Sequence, residues 1–247
     1  MKNKSALYGL LGRNISHSFS PGYFNNKFLK ENIDARFDLF DILSINELSN
    51  LLKSMPELRG FSVTIPYKQE VMNFLDHISP EAKKIDAVNC VKVTKDGLAG
   101  YNTDAIGFLN SLKPLIQGKT NINALLLGTG GASKAVAYVF KSLSIPFKTV
   151  SRTAGDNILT YDELDKDIIK SSQLIINATP VGMFPNIDKA PSIPYEHLTK
   201  HHILYDLIYN PAETLFLKKG RREGAVIKNG LEMLHLQAEA AWEIWQQ

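Results

Sequence analysis

A glycine-rich turn between a predicted strand and a predicted helix is the first feature that indicates chemistry. The turn reads Gly128-Thr129-Gly130-Gly131, follows the apolar run 122–127 and precedes a segment with the apolar spacing of a helix. One glycine permits a tight turn, another lets the backbone approach a pyrophosphate, and the helix N-terminus supplies free N–H groups. The arrangement is typical of dinucleotide binding, although a purely structural crossover can contain the same glycines.

The residues after the next predicted strand, 146–150, favour NADP over NAD. Enzymes that use NAD usually have an Asp or Glu about 20 residues past the glycines, where it binds the ribose hydroxyls. Here that place holds Ser151-Arg152-Thr153, and a guanidinium can bind a 2′-phosphate through two parallel hydrogen bonds. Residues 105–155 contain no Asp or Glu, and their basic residues are Lys113, Lys119, Lys134, Lys141, Lys148 and Arg152. The alternative is a solvated basic face.

Lys68 and Asp104 are the candidate acid–base residues. Each follows a predicted strand and begins a predicted helix, at residues 68–75 and 104–112 respectively. Because the N-terminal end of a helix disfavours a cation, we expect an acidic partner for Lys68. A lysine facing a carboxylate in a water-poor site can move the proton that accompanies hydride transfer at a carbinol carbon. The alternative is that Asp104 only caps its helix.

Three hydroxyls and one imidazole gather before the first predicted helix, in the segment Ser16-His17-Ser18-Phe19-Ser20. Such hydroxyls can hydrogen-bond an anionic polyol, although helix capping explains one serine without a ligand. We expect a local structural role for His17.

Strand-type runs alternate with helix-type segments along the whole chain, which predicts an α/β fold with largely parallel sheets. We place a substrate-binding domain at residues 1–103 plus 230–247 and a Rossmann-type cofactor domain at residues 104–229. A C-terminal helix returns to the first domain.

Composition excludes several classes of protein. The chain has 247 residues with 44% hydrophobic and 21% charged residues, which excludes disorder and low complexity. The net charge of +3 is too small to indicate nucleic acid or a membrane surface as a partner. A single cysteine, Cys90, no signal-peptide pattern and no long apolar run lead us to expect a cytoplasmic location. We expect no metal site.

Several segments together resemble the shikimate dehydrogenase family, from about residue 9 to residue 237. Segments 17–21, 63–68, 87–89 and 102–104 are similar to the family's HSxSP, VTxPxK, AVN and NTD motifs. The resemblance implies substrate contacts at Ser18, Ser20, Thr64 and Asn89, with Lys68 and Asp104 as the catalytic pair.

The second half carries the family's cofactor motifs. Segments 128–132, 151–153 and 177–183 resemble GxGGA, NRT and NATxxGM. The NADP contacts so implied are Gly128, Thr129, Gly130, Gly131, Ala132, Ser151, Arg152, Thr153 and Thr179. Segments 206–214 and 230–237 resemble DxxYxPxxT and GxxMLxxQ, which implies that Tyr209 and Gln237 touch substrate and Gly230 meets the nicotinamide.

The resemblance implies reversible, NADP(H)-dependent reduction of 3-dehydroshikimate to shikimate, within the pathway to chorismate and the aromatic amino acids. Two alternatives stay open, a quinate/shikimate dehydrogenase of relaxed specificity and a nucleotide-binding regulatory protein without catalysis. The sequence departs from the family pattern at Gly12-Arg13, where the family has Asn-Pro, and at Ser62 and Ser151, where the family has Asn. The expected partner is a small-molecule substrate, and the expected state is a monomer or a homodimer.

Overall fold

The computed structural model describes residues 5–247, and the sequence prediction about the N-terminal segment therefore lies partly outside the described residues. The structure divides into two compact units. The first comprises the chain up to Thr103 together with Ala238–Gln247, and the second is Asp104–Gln237. Within residues 5–247, no helix combines the length and apolar character that a membrane crossing requires.

A six-stranded mixed sheet forms the centre of the first unit. Its strands are β1 (Ala6–Gly12), β2 (Ala35–Asp41), β3 (Leu58–Val63), β4 (His77–Ile78), β5 (Cys90–Thr94) and β6 (Gly97–Tyr101). They are ordered β2-β1-β3-β5-β6-β4. β1 pairs in parallel with β2 and β3, whereas β5 is antiparallel to both β3 and β6. The hairpin between β5 and β6 turns at Gly97, whose φ of 111° suits glycine.

Eight α-helices accompany the two sheets within the described residues. They are α1 (Ser20–Lys30), α2 (Leu48–Ser54), α3 (Pro80–Ile85), α4 (Asp104–Ile116), α5 (Gly131–Ser142), α6 (Lys166–Ser171), α7 (Leu215–Arg222) and α8 (Leu231–Gln246). The last residues of α8 belong to the first unit, where Trp245 donates its indole N–H to the carbonyl oxygen of Val91 at 3.0 Å. A Cβ at Gly60 would overlap the Trp245 ring, so this glycine permits the close packing of α8 on β3.

The predicted helix at residues 68–75 is wrong in position and type. The structure has a 3₁₀-helix at Glu70–Phe74, and Lys68 lies in the turn before it. A short 3₁₀-helix has no substantial macrodipole, so the argument that a helix end disfavours the Lys68 charge loses its basis. Pro66 and the tight turn that follows Thr64 displace the helix start.

The second unit is a six-stranded parallel sheet with helices. Its strands are β7 (Ala124–Leu127), β8 (Phe147–Ser151), β9 (Ile158–Thr160), β10 (Leu174–Asn177), β11 (Ile203–Asp206) and β12 (Val226–Lys228), and all their pairings are parallel. The order is β12-β11-β10-β7-β8-β9. Counted from β7, this is the 3-2-1-4-5-6 order of the Rossmann fold read from the other edge. The fold class predicted from the sequence is confirmed.

One crossover in this sheet is unusually short. Only residues 152–157 connect β8 to its parallel neighbour β9, whereas parallel strands usually need a dozen or more residues and a helix between them. The left-handed φ of 58° at Asn157 turns the chain back into β9. Neither β9 nor the helices α6 and α7 are predicted from the sequence.

Candidate functional site

The sheet register gathers most of the predicted substrate residues at one edge of the first unit. β1 and β3 are parallel, so the segments that follow Gly12 and Val63 leave at the same edge. The segment after β1 carries Ser18 and Ser20, and the segment after β3 carries Thr64 and Lys68. Cys90 pairs with both Ser62 and Tyr101, which brings the beginning of β5 and the end of β6 to that edge as well. Asn89 immediately precedes β5.

Asn89 is fixed by the segment that follows β6. Its Oδ1 accepts the backbone N–H of Thr103 at 2.7 Å, and its Nδ2 donates to the Thr103 hydroxyl at 3.0 Å. Both residues are buried. Beside them, the Asn102 amide donates to the carbonyl oxygen of Ala87 at 2.9 Å. These bonds connect the two motif segments 87–89 and 102–104, and they set the direction in which the chain enters Asp104.

Lys68 is positioned through its backbone and its neighbour. The Lys68 carbonyl oxygen accepts the N–H of Val88 at 2.7 Å. Tyr67 is buried, and its hydroxyl donates to the carbonyl oxygen of Ile42 at 2.8 Å. The turn is closed by the N–H of Tyr67, which donates to the Thr64 carbonyl oxygen at 2.9 Å. Thr64 and Lys68 are half-buried, so their side chains reach the surface of this edge.

The loop with the two serines is attached to the end of β2. The Asp41 carboxylate accepts the N–H groups of Asn14 and Ile15 at 2.9 and 3.2 Å. Further along, the Ser18 hydroxyl accepts the N–H of Ser20 at 3.3 Å. The residue before α1 is Phe19, which makes no side-chain cap. Ser18 and Ser20 are both half-buried.

Asp104 and Gln237 lie on two helices of the second unit, α4 and α8, that contact each other at Gly107. Asp104 is the first residue of α4 and is buried, and Gly107 lies three residues later on the same helix face. A Cβ at Gly107 would stand 3.0 Å from the Cβ of Gln237, so α4 and α8 are in close contact there. The Gln237 amide donates to the carbonyl oxygen of Leu234 at 2.9 Å. Tyr209 is half-buried and follows β11.

The glycine turn after β7 combines a left-handed glycine, Gly128, with a glycine that has open space beside it, Gly130. Gly128 has a φ of 109°, and a Cβ there would stand 3.0 Å from Thr179. Gly130 precedes α5 and has open space where a side chain would be. Ser133, in the first turn of α5, is buried, and its hydroxyl makes no hydrogen bond within residues 5–247. A backbone cradle, free helix N–H groups and an unused hydroxyl fit an anionic dinucleotide. Thr129 is exposed there, and Gly131 and Ala132 begin α5 half-buried.

The buried carboxylate of Asp206 organises the neighbouring strand ends, a role that its place in the motif 206–214 does not indicate. Asp206 accepts hydrogen bonds from the Asn177 amide at 3.0 Å, the Thr214 hydroxyl at 2.6 Å and the N–H of Ile208 at 3.0 Å. Burial raises the pKa of Asp206 to about 6, although these hydrogen bonds oppose the rise. Asn177 also accepts the N–H and hydroxyl of Thr179. The network therefore shapes the loop beside the glycine turn, between β7 and β10, where the sheet order reverses.

Gly230 is required by a close backbone contact. Its N–H donates to the carbonyl oxygen of Ile208 at 3.1 Å, and a Cβ would overlap the carbonyl oxygen of Leu207. The loop after β11 and the start of α8 are thereby held together.

The basic residues of 105–155 fall into two groups, apart from Lys148, which lies within β8. Arg152 directly follows β8 and is exposed with Thr153, and Lys134 lies in the first turn of α5, at the carboxyl edge of the sheet. Lys113 and Lys141 lie in the last turns of α4 and α5, at the opposite edge, with Lys119 just beyond α4. Lys113, Lys119 and Lys141 therefore lie away from the glycine turn, whereas Lys134 and Arg152 lie at the same edge of the sheet as that turn.

Comparison with known proteins identifies the family. Residues 10–91 match the family model described as the shikimate dehydrogenase substrate binding domain. A shikimate dehydrogenase (NADP(+)) from Methanococcus vannielii is 38% identical over 98% of this chain and 92% of its own length. A solved shikimate dehydrogenase in complex with NADP+ superposes with a TM-score of 0.87 and 34% identity, covering 99% of this chain and 91% of that one.

A further solved structure extends the comparison. Shikimate 5-dehydrogenase from Thermus thermophilus in complex with NADP(H) and shikimate has a TM-score of 0.85 and 30% identity, covering 97% of this chain and 93% of that one. The resemblance seen in the motifs is confirmed over nearly the whole chain. This protein belongs to the shikimate dehydrogenase family.

Proposed function

We propose that the protein catalyses the reversible, NADPH-dependent reduction of 3-dehydroshikimate to shikimate, a step towards chorismate and the aromatic amino acids, in the cytoplasm. The observation that carries the proposal is the gathering of the motif segments with Ser18, Thr64, Lys68 and Asn89 at one sheet edge of the first unit. Family membership indicates the reaction, and this edge supplies the residue types that it needs.

The substrate is a carboxylate with several ring hydroxyls, so its site needs hydroxyl and amide groups. Ser18 and Ser20 bind the carboxylate with their hydroxyls. Thr64 and Asn89 bind ring hydroxyls, and Asn89 does so from an orientation that Thr103 fixes. Tyr209 and Gln237 provide further substrate contacts. Side chains held in advance lose little freedom on binding, which favours both affinity and alignment.

Lys68 is the residue that moves the proton. During reduction, its ammonium group donates a proton to the carbonyl oxygen as negative charge develops there, and in the reverse direction its neutral amine accepts the hydroxyl proton. Asp104 orients the substrate hydroxyl. The bound nicotinamide supplies or accepts the hydride.

The second unit binds NADP(H). Gly128, Thr129, Gly130, Gly131 and Ala132 form the pyrophosphate turn, and the buried Asp206 network orients Thr179 beside it. Ser151, Arg152 and Thr153 bind the 2′-phosphate at the end of β8. Gly230 lets the nicotinamide approach the backbone at the start of α8.

A substrate and cofactor panel tests the proposal. Reduction of NADP+ and of NAD+ is measured by the absorbance of the reduced nicotinamide, with shikimate and with quinate in turn. The proposed enzyme reduces NADP+ with shikimate at the highest kcat/KM of the four combinations. Comparable rates with quinate would establish relaxed specificity instead, and NADPH binding without turnover of either substrate would establish a non-catalytic protein.

A further inference from the structure

Arg152 and Tyr161 lie side by side at the ends of two neighbouring strands of the second unit, β8 and β9. Ser151, the last residue of β8, pairs with Thr160, the last residue of β9, and the two strands are parallel. Arg152 and Tyr161 are the next residues of their respective strands, so both follow at the carboxyl edge. Neighbouring strands are about 4.8 Å apart, which puts the two side chains within reach of one small group.

Tyr161 is held in place from two directions. Its ring packs against the apolar core of the second unit, in the cluster that contains Val150 and Leu164. The 3₁₀-helix Tyr161–Glu163 is fixed at its start, because the Glu163 carboxylate accepts the N–H and the hydroxyl of Thr160 at 2.6 and 2.8 Å. Within residues 5–247 the Tyr161 hydroxyl has no hydrogen-bond partner.

The charge around the phenol comes mainly from Arg152. Partial burial raises the pKa of Tyr161, and the nearby guanidinium opposes this rise by favouring the phenolate. The phenol is therefore protonated at neutral pH and presents a donor next to a cation. Arg152 forms no ion pair with an acid of the described range, although Asp156 and Asp162 are exposed in the same part of the chain.

The short crossover between β8 and β9 offers few hydrogen-bond donors to a phosphate group at this edge. Residues 152–157 contain no basic residue besides Arg152, and they form no helix whose N-terminus could bind an anion. A doubly charged phosphate monoester at this edge would need several donors, because charge-assisted hydrogen bonds are its main source of affinity. β9 lies directly beside β8, and the Tyr161 hydroxyl that follows β9 supplies one such hydrogen-bond donor.

We propose that Tyr161 is a cofactor-binding residue, which donates its phenolic hydrogen to the 2′-phosphate of NADP(H) beside Arg152 and so contributes to discrimination between NADPH and NADH. The inference deepens the proposed function and rests on it, since it assumes that NADP(H) binds to the second unit. It adds a residue outside the motif segments, directly after β9, a strand that is not predicted from the sequence.

Binding measurements on the full-length protein test this role without relying on turnover. Dissociation constants for NADPH, NADH and 2′,5′-ADP are measured by calorimetry for the wild type, Tyr161→Phe, Arg152→Ala and the double variant. Tyr161→Phe removes one hydroxyl and keeps the ring. We expect about a tenfold weaker binding of NADPH and 2′,5′-ADP, with NADH binding within twofold of the wild type. Tyr138→Phe, a half-buried tyrosine on α5, is the matched control and leaves all three constants unchanged.

The variants separate this inference from the proposed function. In the double variant, the losses are less than multiplicative, because both groups bind one phosphate. Unchanged NADPH binding in Tyr161→Phe, together with weaker binding in Arg152→Ala, would overturn the role of Tyr161 and leave the proposed function intact. Equal losses for NADPH and NADH would also overturn it, since they indicate a packing role. No NADPH binding by the wild type would contradict the proposed function itself.

Discussion

The carboxyl edges of the two sheets prepare their ligand sites in different ways. In the first unit, side chains are held in place by hydrogen bonds, as Thr103 holds Asn89 and the Ile42 carbonyl oxygen holds Tyr67. In the second unit, the backbone itself is shaped, by Gly128 in the left-handed region and by Gly230 against Leu207. Removing a side chain should therefore weaken stability and ligand binding most at the edge of the first unit. Adding a side chain should weaken them most at the edge of the second unit.

The largest effect is expected where a side chain has no room at all. Gly230→Ala forces a Cβ into the Leu207 carbonyl oxygen, so the start of α8 must move away from the loop after β11. We expect a loss of about 3 kcal/mol or more in the free energy of unfolding, measured by urea denaturation, with loss of NADPH binding. The control is Gly22→Ala in α1, where a Cβ meets no atom within 4 Å and the helix gains about 0.5–1 kcal/mol. Similar stability in the two variants would contradict the backbone account of this edge.

Asp206 makes the second unit sensitive to pH. Its folded pKa of about 6 lies above the ordinary value of 3.8, so between these values the folded protein binds more protons than the unfolded chain does. The stability contributed by this residue is present below pH 3.8 and is lost as the pH rises towards 6. At neutral pH the loss amounts to about 3 kcal/mol at most, from 1.36 kcal/mol per pKa unit.

The measurement is the free energy of unfolding between pH 4 and 7 for wild type and Asp206→Asn. The wild type should become less stable relative to the variant as the pH rises through this window. The exposed Asp162→Asn is the control and should follow the wild type. A constant difference between wild type and Asp206→Asn across the window would show that the carboxyl does not titrate as described.

At the first edge, Asn89→Ala removes the partner of a buried backbone group. The N–H of Thr103 loses its acceptor, and an unpaired buried donor costs about 1–3 kcal/mol. We expect this loss in urea unfolding, together with a higher KM for shikimate and unchanged NADPH affinity. The control is Asn25→Ala on α1, because the Asn25 side-chain amide also bonds to the backbone, at Phe37. It tests whether a loss of stability by itself raises the KM for shikimate. A parallel rise in KM in both variants would mean that Asn89 acts only through stability.

The smallest expected change in stability is at Gly130, where a side chain has open space. Gly130→Ala should leave the melting temperature within a few degrees of the wild type, yet its methyl group stands where the pyrophosphate approaches. We expect NADPH to bind about tenfold more weakly, by calorimetry, with shikimate binding unchanged. Unaltered NADPH affinity would show that the open space is not the cofactor site.

The same contrast explains which parts of the fold the sequence predicts. The glycine turn after β7 and the polar residues after β10 are local signals, because one strand and one turn determine them. The hairpin of β5 and β6 also has a local signal in Asp96-Gly97, although β6 is not among the strands predicted from the sequence. Strands as short as β4 and β9 have too few residues for any periodicity, and pairing with neighbours distant in sequence creates them.

The candidate site divides along similar lines. Motif residues such as Ser18, Thr64 and Lys68 can be named from the sequence, because residue type and spacing carry the resemblance. The bonds from Asp41 to the serine loop and from Asp206 to Thr214 join separate segments, so they become visible only in the fold. The same holds for Tyr161, whose proximity to Arg152 depends on a strand register across a short crossover.

The most direct test of the account is the turnover of Lys68→Ala with shikimate and NADP+, measured as kcat beside the dissociation constant for NADPH. Lys83→Ala, at an exposed position on α3, is the control. If Lys68 transfers the proton, kcat falls about 10²–10⁴-fold in Lys68→Ala, while NADPH affinity and the control's kcat stay at the wild-type value. A kcat near that of the wild type in Lys68→Ala would contradict the central claim that the edge of the first unit performs the acid–base chemistry.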